Sequence, residues 1–450
     1  MAHQSAFAHS DRPNACAFDA HHPPSRELIN ECVHCGFCLA TCPTYALWGN
    51  EMDSPRGRIY LMSLASERQI QLDPTFVHHI DNCLGCMACM TACPSGVKYD
   101  KLIQATRSQI ERNHDRPLTN GLQRRIIFHL FPRPDRLRRL LAPMRIYQRS
   151  GLQSGVRKSG VLKLLPKSLR TMEALLPASL PAASASILPE HVAARGTRRL
   201  RVGLLSGCVQ SVFFPEVNAA TLRVLAAEGC EVVVPRDQGC CGALMVHAGE
   251  EPRALDNARR TIDVFERERV DVLVSNAAGC GSNLKDFGYL LRDDPQYAER
   301  ARIFSANCRD ISEVLASLAP RAPRHALPLK VAYQDACHLQ HAQSVTVQPR
   351  AVLATIPGLE LLEIAEPALC CGSAGIYNLV RPGPAEELGA RKVHHILATA
   401  PAVVATGNPG CLLQLQRAIK TAGSNVPVVH MVQLLDASIR GLRPESVLEK

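Results

Sequence analysis

The sequence predicts a mixed α+β and α/β protein in which a small α-helical head precedes a duplicated α/β domain with parallel-sheet βαβ units. Two short ladders of closely spaced cysteines, at 32–42 and 83–93, indicate the compact head. Four further cysteines between 208 and 280 recur between 337 and 411 after 129 to 131 residues, which indicates an internal duplication. Apolar runs of four to six residues alternate with helical segments in both copies, as in βαβ units.

The two ladders share the form Cys-x2-Cys-x2-Cys-x3-Cys-Pro and comprise Cys32, Cys35, Cys38 and Cys42, then Cys83, Cys86, Cys89 and Cys93. This spacing is typical of a pair of [4Fe-4S] clusters, because three cysteines surround one cluster and the fourth, just before proline, ligates the other. The predicted ligand sets are therefore Cys32, Cys35, Cys38 and Cys93 for cluster 1, and Cys83, Cys86, Cys89 and Cys42 for cluster 2. The spacing predicts a dicluster ferredoxin-like head that carries electrons.

Zinc is the main alternative for such cysteines. Zinc knuckles also use Cys-x2-Cys, but they come in pairs separated by a dozen or more residues. Here four thiols lie within eleven residues, twice. The spacing therefore favours iron-sulfur clusters over zinc.

Composition favours a globular chain: 46% of the 450 residues are hydrophobic, and the length suggests about three domains. No apolar run approaches the length of a membrane span, and the first residues lack the features of an export signal, so we expect a cytoplasmic protein.

In a reducing compartment most of the nineteen cysteines are better explained by metal ligation than by disulfides. Cys16, Cys230 and Cys308 lie outside the patterns and are expected to be small buried residues or free thiols.

The predicted organisation has five parts. They are an N-terminal tail (1–27), the 2×[4Fe-4S] ferredoxin-like domain (28–115), a basic connector or linker (116–199) and two Cys-Cys-Gly repeats (200–325 and 326–450). Between the ladders, Pro55 and Gly57 mark the start of a helix that joins the two half-sites. Arg56 and Arg58 on this helix have two interpretations, a hydrogen bond to a cluster or a structural salt bridge.

The connector carries the excess positive charge of the chain. Residues 124–170 contain thirteen Lys or Arg and one acid, Asp135, and the formal net charge of the chain is +10. Apolar residues interleave with the arginines, as in an amphipathic helix on anionic lipid, but the prolines at 132, 134 and 143 are expected to break any long helix. A solvated face or a contact with a partner subunit is therefore favoured over membrane docking. A nucleic-acid partner is not expected, because no recognition motif is present.

Each copy of the repeat follows the order strand, cysteine, helix, strand, Cys-Cys-Gly, helix, strand, Gly-Cys. The cysteines are Cys208, Cys240, Cys241 and Cys280 in the first copy and Cys337, Cys370, Cys371 and Cys411 in the second. Ligands of parallel sheets gather beyond the carboxyl ends of the strands, where these cysteines are predicted to lie. A third and a fourth metal site, a vicinal disulfide and buried structural thiols are all conceivable, and ligation of at least one further cluster is favoured.

His338 and His341 lie beside Cys337, where an imidazole could ligate metal or move protons near a quinone, although satisfied structural histidines are the more ordinary interpretation. The chain has no glycine-rich nucleotide loop and no nucleophile elbow. We therefore expect no catalytic residue and no bond chemistry by this chain alone.

These motifs resemble the iron-sulfur subunit of glycolate oxidase (glycolate dehydrogenase), within the heterodisulfide-reductase-like proteins with Cys-Cys-Gly domains. The matching segments are CVHCGFCLATCPTY, DSPRGRIYL, CLGCMACMTACPSGVKY, EVNAATLRVL, GCCGAL, AAGCGSNLKDFGYLL, HLQHAQ and CCGSAGIYNL. The resemblance covers about residue 28 to the C-terminus. It also assigns the head cysteines to [4Fe-4S] clusters.

The resemblance implies a cytoplasmic complex at the inner face of the membrane. FAD-binding partner subunits oxidise glycolate to glyoxylate, and this chain passes the electrons toward membrane quinone. Heterodisulfide reductases close each repeat with Cys-x2-Cys, whereas Asn283 and Gln414 stand at the closing positions here, which argues against a non-cubane cluster.

Three alternative functions remain at this stage. The first is the equivalent subunit for lactate or glycerol-3-phosphate oxidation, which the sequence does not separate because substrate contacts lie in another chain. The second is a heterodisulfide-reductase-like subunit that reduces a disulfide, against which Asn283 and Gln414 argue. The third is a cluster protein that binds nucleic acid through residues 124–170 and would bind DNA in a salt-dependent manner.

Overall fold

The computed structural model describes residues 17–164, 166–177, 180–181 and 187–449. Cys16 and parts of the predicted tail and linker lie outside these ranges. The helices and strands are labelled in chain order.

The head is a compact group of helices around the two cysteine ladders. They are α1 (Arg26–Asn30), α2 (Pro43–Trp48), α3 (Pro55–Ser66), α4 (Pro74–Asn82), α5 (Ala88–Thr91) and α6 (Tyr99–Asn113), with a 3-10 turn at Glu51–Asp53. Proline opens α2, α3 and α4, where its missing N–H costs no hydrogen bond. The Ser54 and Asp73 side chains cap α3 and α4. Buried side chains such as Met62, Ile80 and Leu102 form the core beneath the ladders.

The connector is helical and packs against the rest of the chain. It contains α7 (Leu118–Leu130), α8 (Pro134–Arg149), α9 (Leu152–Ser159), a 3-10 turn at Val161–Leu164 and α10 (Lys167–Ala174).

The prediction that Pro143 breaks the helix was wrong, because α8 continues across it. Pro143 and Arg139 are both exposed, so water can bond the carbonyl that the proline leaves unpaired. Buried Leu137 and Leu141 hold the opposite face of α8 in a hydrophobic cluster.

The first α/β unit contains a five-stranded sheet in the order β1-β3-β2-β4-β5. Its strands are β1 (His191–Val192), β2 (Leu200–Leu205), β3 (Cys230–Val233), β4 (Val272–Ser275) and β5 (Cys308–Asp310). All neighbours are parallel except β1, which is antiparallel to β3. The helices are α11 (Cys208–Phe213), α12 (Pro215–Ala227), α13 (Ala243–Ala248), α14 (Glu251–Arg267), α15 (Ala278–Lys285), α16 (Phe287–Leu290), α17 (Ala298–Ala306) and α18 (Ile311–Ser317). Cys230 and Cys308 are buried within this sheet.

The second unit repeats this plan with four parallel strands in the order β7-β6-β8-β9. The strands are β6 (Lys330–Tyr333), β7 (Glu360–Leu362), β8 (Val403–Thr406) and β9 (Val428–His430). The helices are α19 (Val347–Ala354), α20 (Tyr377–Val380), α21 (Pro382–Ala398), α22 (Pro409–Thr421), α23 (Met431–Ile439) and α24 (Glu445–Leu448), with a π-helical turn at His338–Ala342. The predicted fold class, a helical head followed by duplicated parallel α/β units, is confirmed.

The two α/β units share one hydrophobic core, to which buried residues of both contribute. Helix α12 of the first unit packs against α23 of the second. Across this contact the Arg223 guanidinium donates two hydrogen bonds to the Asp436 carboxylate, at 2.9 and 2.6 Å. His430 Nε2 donates to the backbone carbonyl of Asn276 at 2.8 Å. These contacts fix the two units relative to each other.

We expect Asp436→Ala to reduce the free energy of unfolding by about 2 kcal/mol, because it removes a paired hydrogen bond of a nearly buried carboxylate. The matched control is Asp256→Ala, which removes an exposed ion pair with Arg259 and should cost about 0.5 kcal/mol or less. Urea unfolding of the cluster-loaded protein, followed by circular dichroism, measures both. Equal losses in the two variants would contradict a role for the pair in joining the units.

Candidate metal centres

The first ladder lies near the surface of the head. Cys32, Cys35, Cys38 and Cys93 line one small pocket, which Cys89 and Arg56 also border. Burial raises the pKa of the Cys38 thiol to about 11. Burial also raises the pKa of Cys32, and nearby Cys93 and Cys35 add to this effect. Cys93 of the second ladder therefore lies among the first three cysteines of the first ladder.

The second ladder is buried, and Cys42 of the first ladder lies with it. Burial raises the pKa of Cys86 and Cys89 well above the ordinary value, and the neighbouring charges of Cys83 and Cys42 raise both further. Cys83 behaves differently: burial opposes its ionisation, but Arg58 and Arg107 outweigh burial and lower the pKa. The two ladders thus exchange their fourth cysteines, as crossed ligation requires, and the ligand sets stay a prediction.

The donor set of the head fits a pair of [4Fe-4S] clusters. Each group offers four thiols that are costly to ionise as close neighbours, and the cost is higher in the second group, whose four cysteines are all buried. Positively charged iron supplies the compensating charge. Gly36 (φ +89°) forms the tight loop of the first ladder, and a Cβ at Gly36 would lie 2.8 Å from Arg56 Nη1.

The arginines of α3 have structural partners. Arg56 forms an ion pair with Glu51 at 2.6 Å and donates to the His34 carbonyl at 3.0 Å. Arg58 is fully buried and donates to the His79 carbonyl at 2.7 Å, with Asp53 at 3.3 Å. The structure therefore favours the salt-bridge interpretation for both side chains. The Arg58 guanidinium nevertheless interacts electrostatically with Cys83 and Cys42, and both raise its pKa.

The eight cysteines of the duplicated units face one common cavity of about 390 Å³. In the first unit the Sγ atoms of Cys208 and Cys240 lie 3.5 Å apart. In the second unit the Sγ separations are 3.9 Å for Cys337 and Cys370 and 3.5 Å for Cys371 and Cys411. In each unit the single cysteines follow the two strands on either side of the point where the strand order reverses, β2 and β4 or β6 and β8, and the Cys-Cys pair follows the neighbouring strand, β3 or β7. The eight cysteines that line the cavity are Cys208, Cys240, Cys241, Cys280, Cys337, Cys370, Cys371 and Cys411.

The two sets of thiols differ in their electrostatics. The hydrogen bond with Cys240, together with burial, raises the pKa of the first-unit thiol Cys208. At Cys241 the hydrogen bond with Cys240 lowers the pKa, but the hydrogen bond with Cys280 and burial outweigh it and raise the pKa well above its ordinary value. In the second unit, hydrogen bonds from Cys370 and Cys411 lower the pKa of Cys371 well below its ordinary value, and the buried Lys392 contributes in the same direction. The pKa values of Cys370 and Cys411 in the same unit are raised well above the ordinary value, so the environment favours the thiolate at Cys371 and disfavours it at these two neighbours.

Asn283 and Gln414, the residues at the closing positions of the repeats, make structural hydrogen bonds. Asn283 donates to the Cys241 carbonyl at 2.7 Å. Gln414 donates to the Ala385 carbonyl at 2.8 Å and is buried. Their amides satisfy backbone groups, which leaves four cysteines in each unit as candidate ligands.

Two buried histidines connect the cavity to the head, and the sequence pointed to only one of them. His338 Nε2 donates to the Gly85 carbonyl at 3.0 Å, and His247 Nε2 donates to the Leu84 carbonyl at 2.7 Å. The ring centroids are 6.1 Å apart, and burial lowers the pKa of both. His341 packs nearby, where its Nδ1 contacts the Thr91 hydroxyl at 2.8 Å and its Nε2 donates to the Ala368 carbonyl. His341 is therefore a satisfied structural histidine.

Sequence reasoning missed His247 and Arg107. Arg107 on α6 donates to the Cys83 carbonyl and, at 2.7 Å, to the His247 carbonyl, which joins the second ladder to α13. Little in the sequence indicates a role for either residue. His247 stands six residues after Cys241, and Arg107 lies among the buried residues of α6, a helix with many polar residues.

Three family models match the chain. The model described as "4Fe-4S dicluster domain" matches 28–97, and the model described as "Cysteine-rich domain" matches 202–285 and 331–416. The model described as "Glycolate oxidase iron-sulfur subunit, linker region" matches 120–176. The "Probable glycolate oxidase iron-sulfur subunit" of Bacillus subtilis (strain 168) is 41% identical over 91% of this chain and 93% of its own length. The chain belongs to the glycolate oxidase iron-sulfur subunit family.

Other relatives agree with this assignment. The "Glycolate oxidase iron-sulfur subunit" of Escherichia coli (strain K12) is 34% identical over 97% of this chain and 99% of its own length. The "Lactate utilization protein A" of Halalkalibacterium halodurans is 28% identical over 53% of this chain and 97% of its own length. The chain is thus an iron-sulfur electron-transfer subunit of the oxidoreductase type. Among the described residues, none of the helices has the length and apolar character that a membrane crossing needs.

We expect Cys93→Ser to perturb the cluster of Cys32, Cys35 and Cys38, although Cys93 belongs to the second ladder in sequence. Electron paramagnetic resonance of the dithionite-reduced protein measures the effect. The control is Cys308→Ser, which changes a buried thiol of β5 away from both ladders and should leave both head signals unchanged. A spectrum in which Cys93→Ser disturbs only the cluster of Cys83, Cys86 and Cys89 would show that the crossed pairing is wrong.

Proposed function

We propose that this chain carries electrons from an FAD-binding partner subunit, which oxidises glycolate to glyoxylate, toward membrane quinone. The observation that supports it most strongly is the direct contact between the second ladder and the common cavity. Leu84 and Cys86 of the head pack in one hydrophobic cluster with Cys370 and Tyr377 of the second unit. This contact supports a continuous path for electrons between the head and the duplicated units.

The chain's own residues hold the centres and exclude water from them. [4Fe-4S] clusters, when bound, accept and release single electrons, a chemistry that no side chain here supplies. We propose Cys32, Cys35, Cys38 and Cys93 for one cluster and Cys83, Cys86, Cys89 and Cys42 for the other. A further cluster is proposed in the common cavity, because one set of four thiols gathers there from each unit.

The charge of Cys337 raises the pKa of Cys86, after burial itself, which shows how near the second ladder lies to the second unit. A centre bound in that unit would extend the path from the head into the cavity. Catalysis of glycolate oxidation is assigned to the flavin partner, and this chain is proposed to have no catalytic residue. We further propose that the complex assembles at the cytoplasmic face of the membrane.

Lactate is the second candidate substrate of the complex. The relative named for lactate utilization matches about half of this chain, which supports a shared electron-transfer unit with different partners. Substrate choice is assigned to the partner subunit, so this alternative changes no residue role proposed above.

An iron and acid-labile sulfide count on anaerobically purified protein tests the third cluster. Two cubanes require about eight irons per chain, and a third raises the count to about twelve, which is the expected result. In each unit three buried thiols and one half-buried thiol lie close together, and they are costly to ionise unless positive charge neutralises them.

The double variant Cys240→Ser, Cys371→Ser should reduce the count to about eight while the head signals remain. Cys230→Ser, which changes a buried thiol of β3 outside both sets, serves as the control. A full count of eight irons, unchanged in the double variant, would leave the duplicated units as a docking scaffold.

Purification of the tagged chain from its own cells should recover an FAD-binding subunit, because the chain needs a source of electrons. The purified complex should then reduce its clusters when glycolate is added, which bleaches the absorbance near 420 nm that [4Fe-4S] clusters give. Lactate and glycerol-3-phosphate, added separately, are the comparison substrates. Recovery of the chain alone, or bleaching by lactate and not by glycolate, would overturn the glycolate assignment.

A further inference from the structure

The common cavity has a second wall that the cluster ligands do not explain. Eight apolar side chains of α7, α8, α10 and the following turn line it opposite the cysteines. They are Leu130, Phe131, Leu137, Leu140, Met144, Met172, Leu175 and Leu176. A [4Fe-4S] cluster is held by thiolates, so a continuous apolar wall adds nothing to its ligation. We call this set of residues the connector roof.

The connector roof joins the two α/β units. Helix α8 packs against α11 of the first unit, and α10 packs against α20 of the second. The cavity volume of about 390 Å³ and its mixture of apolar walls with a few polar groups match sites for small organic ligands. Such a site is suited to a flat, largely apolar molecule.

The roof reaches the protein surface at Leu140. Leu140 lines the cavity and is 39% exposed, and Ile146, which lies six residues further on and on another side of the same helix, is 69% exposed. Exposed Arg139, Arg149 and Lys158 lie beside such residues on α8 and α9. Basic and apolar side chains mixed in this way suit contact with an anionic lipid surface. An apolar ligand could therefore reach the cavity from lipid without crossing water.

The inner end of the cavity offers an unused hydrogen-bond acceptor. His338 lines the cavity, and its Nδ1 is buried and has no hydrogen-bond partner within the described part of the chain. The Gly85 carbonyl can only accept, so His338 Nε2 carries the proton and Nδ1 offers a lone pair. This nitrogen has almost no accessible surface in the present conformation, so a ligand hydroxyl could donate to it only after the His338 ring turns toward the cavity.

We propose that the cavity beneath the connector roof binds the ring of a membrane quinone, which enters past Leu140 and is reduced there. This proposal rests on the proposed function, because electrons must come from the flavin partner through the iron-sulfur centres. The quinone takes up two electrons, delivered one at a time, and two protons from water. Its two C=O groups become C–OH groups, and no other bond forms or breaks. The reduced hydroxyl can donate to His338 Nδ1.

Direct labelling tests the site without turnover. The cluster-loaded complex is mixed with a photoreactive azido-ubiquinone, irradiated and digested, and the modified peptides are identified by mass spectrometry. We expect labels in α8 and α10, and excess decylubiquinone should remove them. Labels confined to a partner subunit, or labels that decylubiquinone does not displace, would overturn the proposal.

Kinetics of matched tryptophan variants test the same site. Leu140→Trp narrows the proposed entrance, and Met172→Trp fills the roof farther inside in case the first change is tolerated. We expect either change to lower the ratio of decylubiquinone reduction to dichlorophenolindophenol reduction about tenfold, through a steric clash with the ring. Leu118→Trp is the control, because Leu118 is 91% exposed on α7 and does not line the cavity.

An unchanged ratio in both roof variants would overturn the proposal. The proposed function has a separate test, since it predicts glycolate-dependent bleaching whether or not quinone binds to this chain. If glycolate fails to bleach the clusters while labels still map to α8 and α10, the quinone site stands and the glycolate assignment falls. If glycolate bleaches the clusters and no label maps to this chain, the glycolate assignment stands and the quinone site falls.

Discussion

The organisation of this protein depends on one electrostatic constraint: sixteen cysteine thiols gather in small groups, and most of these thiols are buried. Neighbouring thiolates repel, and burial opposes their ionisation, as the raised pKa values of Cys86, Cys89 and Cys208 show. Such groups persist only where positive charge compensates them. The chain supplies part of it through buried Arg58 and Lys392, and the iron of the clusters is proposed to supply the rest.

The head and the α/β units pack directly against each other. Electron transfer between redox centres requires close approach, and here backbone atoms of the second ladder make the contact with α13. Gly85 (φ +62°) leaves the second ladder so near α13 that a Cβ at Gly85 would lie 2.8 Å from His247 Nε2. Arg107 then ties the carbonyls of Cys83 and His247 together. The contact between the second ladder and α13 is therefore built from a glycine, an arginine and a neutral histidine.

Much of this arrangement could be predicted from sequence because it is local or repeated. The ladders place four thiols within eleven residues, and the duplication shows itself through constant offsets between cysteines. The prediction for Pro143 was wrong because the free-energy cost of a proline within a helix depends on whether water can reach the carbonyl that loses its hydrogen bond, here that of Arg139. Access of water to this carbonyl depends on which side of α8 is exposed, and the sequence alone does not reveal that. The convergence of both cysteine sets on one cavity depends on the packing of α12 against α23, hundreds of residues from the ladders. Long-range packing of this kind leaves no periodic signal, and the same holds for His247.

The two α/β units share a fold, yet their surroundings make them unequal partners for the head. The second unit makes several of the contacts with the second ladder, through His338 with Gly85, His341 with Thr91, and Cys370 in the cluster around Cys86. It is also the unit in which a thiol pKa is lowered, at Cys371, with Lys392 buried beside it. Cys370 and Cys411 nevertheless have raised pKa values, so burial and the neighbouring thiols still oppose full ionisation of this set, and Lys392 offsets only part of that cost. A cluster proposed for either unit would therefore depend on the charge of its iron to hold the remaining thiolates.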